Sequence, residues 1–248
     1  MIERAQLLAY LNEYLRVDTI KDYCPNGLQV EGTKTIKTLV TGVTASQALI
    51  DVAIELNADA LLVHHGYFWK GESQTITGMK GRRVKALMLN DINLLAYHLP
   101  LDLHRILGNN KLLGEALNLQ DTTEDDSALV RLGQLPQAES IEAFIQRVNS
   151  ATDREALHLP GGPEQVQTIA WCTGAAQDYI EQAYEQGAEV FISGEVSERT
   201  THLAQEMGIH YLAAGHHATE TFGVKALGEH LAEQFGLDHH FVNLYNPV

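Results

Sequence analysis

Cysteine is nearly missing from this chain. Two occur in 248 residues, Cys24 and Cys172, with no CxxC spacing. That argues against a disulfide framework and points to a reducing cytosol, so the expected location is cytoplasmic. No apolar run approaches the roughly 18 residues that span a bilayer. The opening MIERAQLLAYLNEYL carries charge in its first turn and lacks the apolar block and small-residue cleavage site of a signal peptide. Positive charge is scarce too: 17 Lys and Arg against 32 Asp and Glu leave a net charge of -15. Such a balance gives no support to binding nucleic acid or an anionic membrane, although it leaves room for a locally basic cleft. A phosphate-cradling glycine loop of the Walker type is also missing. With 45% hydrophobic and 20% charged residues, what remains is an ordinary globular composition, long enough for one large domain or two small ones.

Short apolar runs rich in branched residues alternate with helix-period segments. KTLVTGV (37–43), ADALLV (58–63) and INLLAY (92–97) read as strands. SQALIDVAIELN (46–57), RRVKALMLND (82–91) and NKLLGEALNL (110–119) read as helices. This alternation predicts a parallel sheet covered by helices. The series then begins again. Residues 168–195, TIAWCTGAAQDYIEQAYEQGAEVFISGE, align without gaps on residues 38–65, 130 positions earlier. Ala53 falls on Ala183, Ala58 on Ala188, Asp59 on Glu189 and Leu62 on Ile192. A helix (RTTHLAQEMG) and a strand (IHYLAA) follow, as in the first half. The expected fold is therefore two interlinked α/β domains of similar topology, related by an internal repeat, with largely parallel sheets; the competing reading is one continuous doubly wound sheet. The acidic stretch DTTEDD (121–126) suggests a boundary. Expected domains are 1–126 and 127–215, with 216–248 forming a last helix and strand that pack back on the first. Between the repeats, SIEAFIQRVN (140–149) predicts a helix capped by Ser140, and LPGGPE (159–164) a loop.

Three predicted strand ends carry imidazoles and carboxylates: VHHG with His64 and His65, YHLPLD with His98 and Asp102, and GHHATE with His216, His217 and Glu220. In open parallel sheets, ligand sites form beyond the carboxyl ends of strands. Neighbouring strand residues point to opposite faces, so His64 and His65 converge only if the chain turns, which Gly66 permits. If Thr219 and Glu220 open the last helix, Glu220 shares a helical face with His216 or with His217. A carboxylate between histidines suits a bridge between two ions, and Asp102 offers a further oxygen. Imidazole and carboxylate without thiolate fit zinc, manganese, iron, nickel or cobalt, and do not select among them. His104, His158, His202, His210, His230, His239 and His240, each alone, read as hydrogen-bonded structural residues.

Seven segments together resemble the Nif-three-like family, whose members are labelled GTP cyclohydrolase 1 type 2 homologs. They are YCPNGLQVEG (23–32), VTGVTAS (40–46), VHHGYFWKG (63–71), HLPLD (98–102), GNN (108–110), SGEVSE (193–198) and GHHATE. The resemblance implies two α/β domains of similar topology, a dinuclear metal site and a ring-shaped homohexamer. By motif it places the ligands at His64, His65, Asp102, His216 and Glu220, with His98 and His217 adjacent.

Paired divalent ions commonly serve hydrolysis. The expected function is a dinuclear metal-dependent hydrolase of a small polar, nucleotide-like substrate, with His98 and His217 as catalytic proton carriers. GTP is a candidate substrate carried by the family label alone. The alternative is a non-catalytic metal-binding scaffold or metal-delivery protein; a DNA-acting ring ranks last against the acidic charge. Tyr67, Phe68 and Trp69 read chiefly as a packed loop, with base stacking the sharper alternative; Lys70 is left open between solvent and a phosphate. Glu195, aligned with His65, is expected to line the cavity or accept a hydrogen bond.

Overall fold

The computed structural model describes residues 1–248. They form two compact units: Met1–His104 with Gly223–Tyr245, and Arg105–Phe222 with Asn246–Val248. The acidic stretch 121–126 lies within the second unit, where Arg131 donates to Asp121 at 2.7 Å.

Unit 1 holds a five-stranded sheet in the order Asp238–Phe241, Thr38–Thr44, Ala60–His65, Asn93–Ala96, Gly27–Val30. The first three pairings are parallel and the last is antiparallel. Leu39, Val40, Leu61, Leu62, Val63, Leu94 and Leu95 are wholly buried, as a sheet covered on both faces requires. Leu49, Ile50 and Ala53 of helix Gln47–Glu55, and Val84 and Leu87 of helix Gly78–Leu89, pack on Val40, Leu61 and Val63. Ser46 caps the first of these helices by accepting from the Leu49 N–H.

Unit 2 holds six strands in the order Gln120–Asp121, Arg131–Ser140, Gln165–Trp171, Val190–Ser193, His210–Ala213, Leu157–Leu159. Its centre is parallel and its flanks are antiparallel. Trp171 fills the core with Phe144 and Val148 of helix Ile141–Thr152, and its indole N–H donates to the Asn110 carbonyl at 2.8 Å.

The repeat holds to individual bonds. Leu39 pairs with Ala60, and Ile169, 130 positions on, pairs with Val190. Asp59 Oδ2 accepts from the Lys37 and Thr38 N–H groups, both at 2.8 Å. Glu189 Oε2 accepts from the Gln167 and Thr168 N–H groups at 2.7 and 2.9 Å. The helix-ending residues Asn57 (φ 51°) and Gly187 (φ 82°) are both left-handed, a turn that Gly and Asn adopt at least cost. A parallel βαβ core thus occurs twice. The antiparallel strands Gly27–Val30, Arg131–Ser140 and Leu157–Leu159 were not foreseen. Short or polar runs such as RLGQLPQAES carry little hydrophobic alternation.

Candidate metal centre

In unit 1 the apolar strand Ala60–His65 delivers His64, wholly buried, and His65, half-buried, to its carboxyl end. His64 Nδ1 lies 2.9 Å from the Tyr97 carbonyl oxygen. A carbonyl only accepts, so Nδ1 carries the hydrogen and the lone pair of the neutral ring falls to Nε2. That Nε2 is 3.5 Å from Asp102 Oδ1. His65 Nδ1 stands 3.2 Å from Thr44 Oγ1 on the neighbouring strand. His98 opens the short helix Leu99–Asp102, and its Nδ1 is 2.7 Å from Asp22 Oδ1. The three imidazoles cluster, with His64 centred 4.6 Å from His65 and 5.1 Å from His98. Donor atoms of all three lie within 4.8 Å of one another.

Gly66 is required for space rather than for a left-handed turn. A Cβ there would meet Gln29 Oε1 at 2.2 Å and Ala96 Cβ at 2.7 Å, and Gly66 is not among the positive-φ residues. In the following loop, Tyr67 is buried with its hydroxyl on the Ala45 carbonyl, and the Lys80 ammonium sits 4.5 Å over Phe68. Trp69 stands edge-on to His98 at 4.9 Å, so one aromatic of the three walls the cluster.

In unit 2 the chain leaves strand His210–Ala213 through Gly215 (φ 95°) and forms the short helix His216–Thr219. Glu220 closes this short helix, and the last helix, expected to begin at Thr219, opens at Thr221 and runs to Phe235. One turn separates His216 from Glu220, and His216 Nε2 lies 3.2 Å from Glu220 Oε2. On the other side of the ring, Nδ1 lies 2.7 Å from Glu195 Oε1. Glu195 thus accepts the hydrogen bond anticipated for it. Burial disfavours a charged imidazole, but Glu220 and Glu195 outweigh it and hold His216 at about 9. Gly174 (φ +71°) leaves the room Glu220 occupies: a Cβ there would meet Glu220 Oε1 at 2.3 Å. His217 joins the turn through its main chain, accepting from the Glu220 N–H at 3.1 Å and donating to the Val248 oxygen at 3.0 Å.

The residues fit divalent ions. Four imidazoles, those of His64, His65, His98 and His216, have Nδ1 bound to an oxygen: a carbonyl, a hydroxyl and two carboxylates. That tether fixes ring orientation and directs Nε2 outward, as ligating histidines need. Asp102 and Glu220 are 6% and 3% exposed, and carboxylates this deep need cations or donors around them. Asp22 escaped the sequence reading. Its only signal is a carboxylate directly before the turn-forming YCPNG. Histidines set aside as structural make local bonds: His239 Nε2 lies 2.8 Å from Thr41 Oγ1, and His210 Nε2 donates to the Pro163 carbonyl at 2.9 Å.

The model of the Duf34/NIF3 (NGG1p interacting factor 3) family matches residues 2–247. A Vibrio cholerae protein named GTP cyclohydrolase 1 type 2 homolog is 53% identical over 250 residues, covering 98% of each chain. Among solved structures, protein ybgI, described as of unknown function, is similar with a TM-score of 0.96 at 48% identity, covering 100% of both chains. A protein from Thermus thermophilus is similar with a TM-score of 0.91 at 36% identity, again over 100% of both.

Proposed function

This chain belongs to the Duf34/NIF3 family, and from that premise we propose that it is a dinuclear metal-dependent hydrolase of a small polar, nucleotide-like substrate. His64, His65 and Asp102, with His216 and Glu220, hold two divalent ions drawn from zinc, manganese, iron, nickel or cobalt. The observation that carries this reading is the repeated pairing of a tethered imidazole with a buried carboxylate, His64 with Asp102 and His216 with Glu220. When bound, such ions supply Lewis acidity and offset charge that develops at an attacked carbon or phosphorus. Asp102 and Glu220 balance the positive charge. His98, fixed at Nδ1 by Asp22, and His217 move protons to and from substrate. Trp69 offers a ring edge to a planar group.

The name carried by the Vibrio relative supports GTP as the first substrate to try. The same reading includes assembly as a homohexameric ring, which rests on the family, and a cytoplasmic location, which suits two cysteines that are both unbridged. No helix is long and apolar enough to cross a membrane. The depth of His64 and Glu220 favours one second reading, a scaffold that retains or delivers ions without turnover.

Turnover separates the two. Metal-loaded protein is screened on GTP and generic phosphoesters beside Glu220→Ala. A hydrolase turns over at least one of them and loses that activity in the variant. Two bound ions with no turnover on any tested compound favour the scaffold.

A further inference from the structure

The segment Asp22–Gln29 supplies no ligand in the reading above, yet it touches both histidine-bearing strand ends of unit 1. Asp22, with a side chain only 3% exposed, accepts four hydrogen bonds. Its Oδ1 takes the Tyr23 N–H at 2.5 Å and His98 Nδ1 at 2.7 Å. Its Oδ2 takes Asn26 Nδ2 and the Leu99 N–H, both at 2.9 Å. Asn26 Oδ1 in turn accepts the His98 main-chain N–H at 2.8 Å, so His98 is gripped by ring and backbone alike. The same segment braces the chain beyond His65. Gln29 Oε1 accepts the Tyr67 N–H at 2.6 Å, and the Tyr23 carbonyl accepts the Lys70 N–H at 2.6 Å.

Cys24 complicates the picture, because Asp22, Cys24 and His98 also bring donor atoms within 4.8 Å of one another. An ion there would have to strip Asp22 of its bonds, since two donors already occupy each oxygen, and would displace His98 Nδ1 with them. Without an ion, burial reinforced by the Asp22 charge pushes the Cys24 thiol up to about 12. The arrangement is built to orient a histidine.

We propose that Asp22 is a positioning residue for His98: by accepting from Nδ1–H it fixes the tautomer and the ring plane, and thereby the direction in which Nε2 presents its lone pair. The inference deepens the functional reading and rests on it for the role His98 plays, while the tautomer itself is measured independently.

The test uses the full-length, zinc-loaded protein with ¹⁵N-labelled histidine, read by imidazole NMR beside metal counting. In the wild type, His98 carries its hydrogen on Nδ1 alone. In Asp22→Asn, His98 exchanges between tautomers while the zinc content is unchanged. On any substrate the screen yields, kcat falls on the order of a hundredfold with KM held. A wild-type spectrum with hydrogen on Nε2, or an Asp22→Asn spectrum identical to the wild type, overturns the inference. Should Asp22→Asn not fold, the wild-type spectrum decides alone. A protein that takes up no zinc sinks the functional reading, yet the metal-free spectrum still reports the His98 tautomer, so the two failures are distinct.

Discussion

The two units share a three-stranded parallel core and differ in what they place at matched strand ends. His64-His65 of unit 1 correspond, 130 positions on, to Gly194-Glu195 of unit 2. Unit 1 fills the position with a buried imidazole. Unit 2 leaves it empty of side chain, and a Cβ on Gly194 would lie 2.5 Å from His216 Cα. One strand later the units converge again. His98 and Asp102 follow strand Asn93–Ala96, and His216 and Glu220 follow strand His210–Ala213, each pair four residues apart across a short helix. Both of these histidines are oriented by a carboxylate at Nδ1, Asp22 in one unit and Glu195 in the other. The repeated fold thus fixes where chemistry can sit, while small local changes decide whether a position ligates, orients or makes room.

The largest effect that can break this comparison comes from removing one imidazole from each unit. His64→Ala and His216→Ala are each expected to weaken zinc binding by roughly a hundredfold or more, since loss of an orienting partner alone typically costs tenfold to a hundredfold. Competition with a chromophoric chelator measures it. If only His64→Ala loses metal, unit 1 binds by itself and the proposed five-residue set is wrong. The orienting groups come next. Glu195→Gln removes a charged tether and should cost roughly tenfold to a hundredfold in zinc affinity. Thr44→Val removes a neutral one and should cost less, because charge-assisted bonds are about twice as strong. Equal losses in the same titration would erase that distinction.

The smallest effect is in pH, read on metal-free protein, and the units answer at opposite ends. Burial raises the Asp22 carboxyl, but the bonds from His98, Asn26 and Tyr23 and the His98 charge prevail and hold it at about 2, below its ordinary 3.8. Its contribution is present above about 3.8 and is lost as pH falls toward 2. His216, held at about 9 against an ordinary 6.5, contributes fully below about 6.5 and loses that contribution as pH rises through 9. Thermal midpoints across pH should therefore fall at both extremes. Asp22→Asn should flatten the acid limb and Glu195→Gln the alkaline one. An unchanged alkaline limb in Glu195→Gln would contradict the account of His216.

The parallel core was legible because buried strands such as ALLV and VFIS are continuous apolar runs, and because Ala53/Ala183 and Asp59/Glu189 keep their roles across the repeat. The edges were not. Arg131–Ser140 is a ten-residue strand whose composition reads as loop. At the site, the histidines announced themselves by position at strand ends, and Glu195 surfaced only through its alignment with His65. Asp22 is distant in sequence from every motif histidine, 76 residues from His98, and a hydrogen bond across that separation leaves no local pattern. Cys24 likewise joins Asp22 and His98 only in space, where sequence placed no cysteine beside a metal cluster. Gly66 was legible as a residue that permits a turn, but the close approach of Gln29 and Ala96 that bars a Cβ there leaves no sequence signal.

The most direct measurement is the number of metal ions per chain, counted by native mass spectrometry on full-length protein purified without added metal and again after reconstitution with zinc. The account predicts about two ions per chain, falling in both His64→Ala and His216→Ala. A chain that holds no stoichiometric metal even after reconstitution would contradict it.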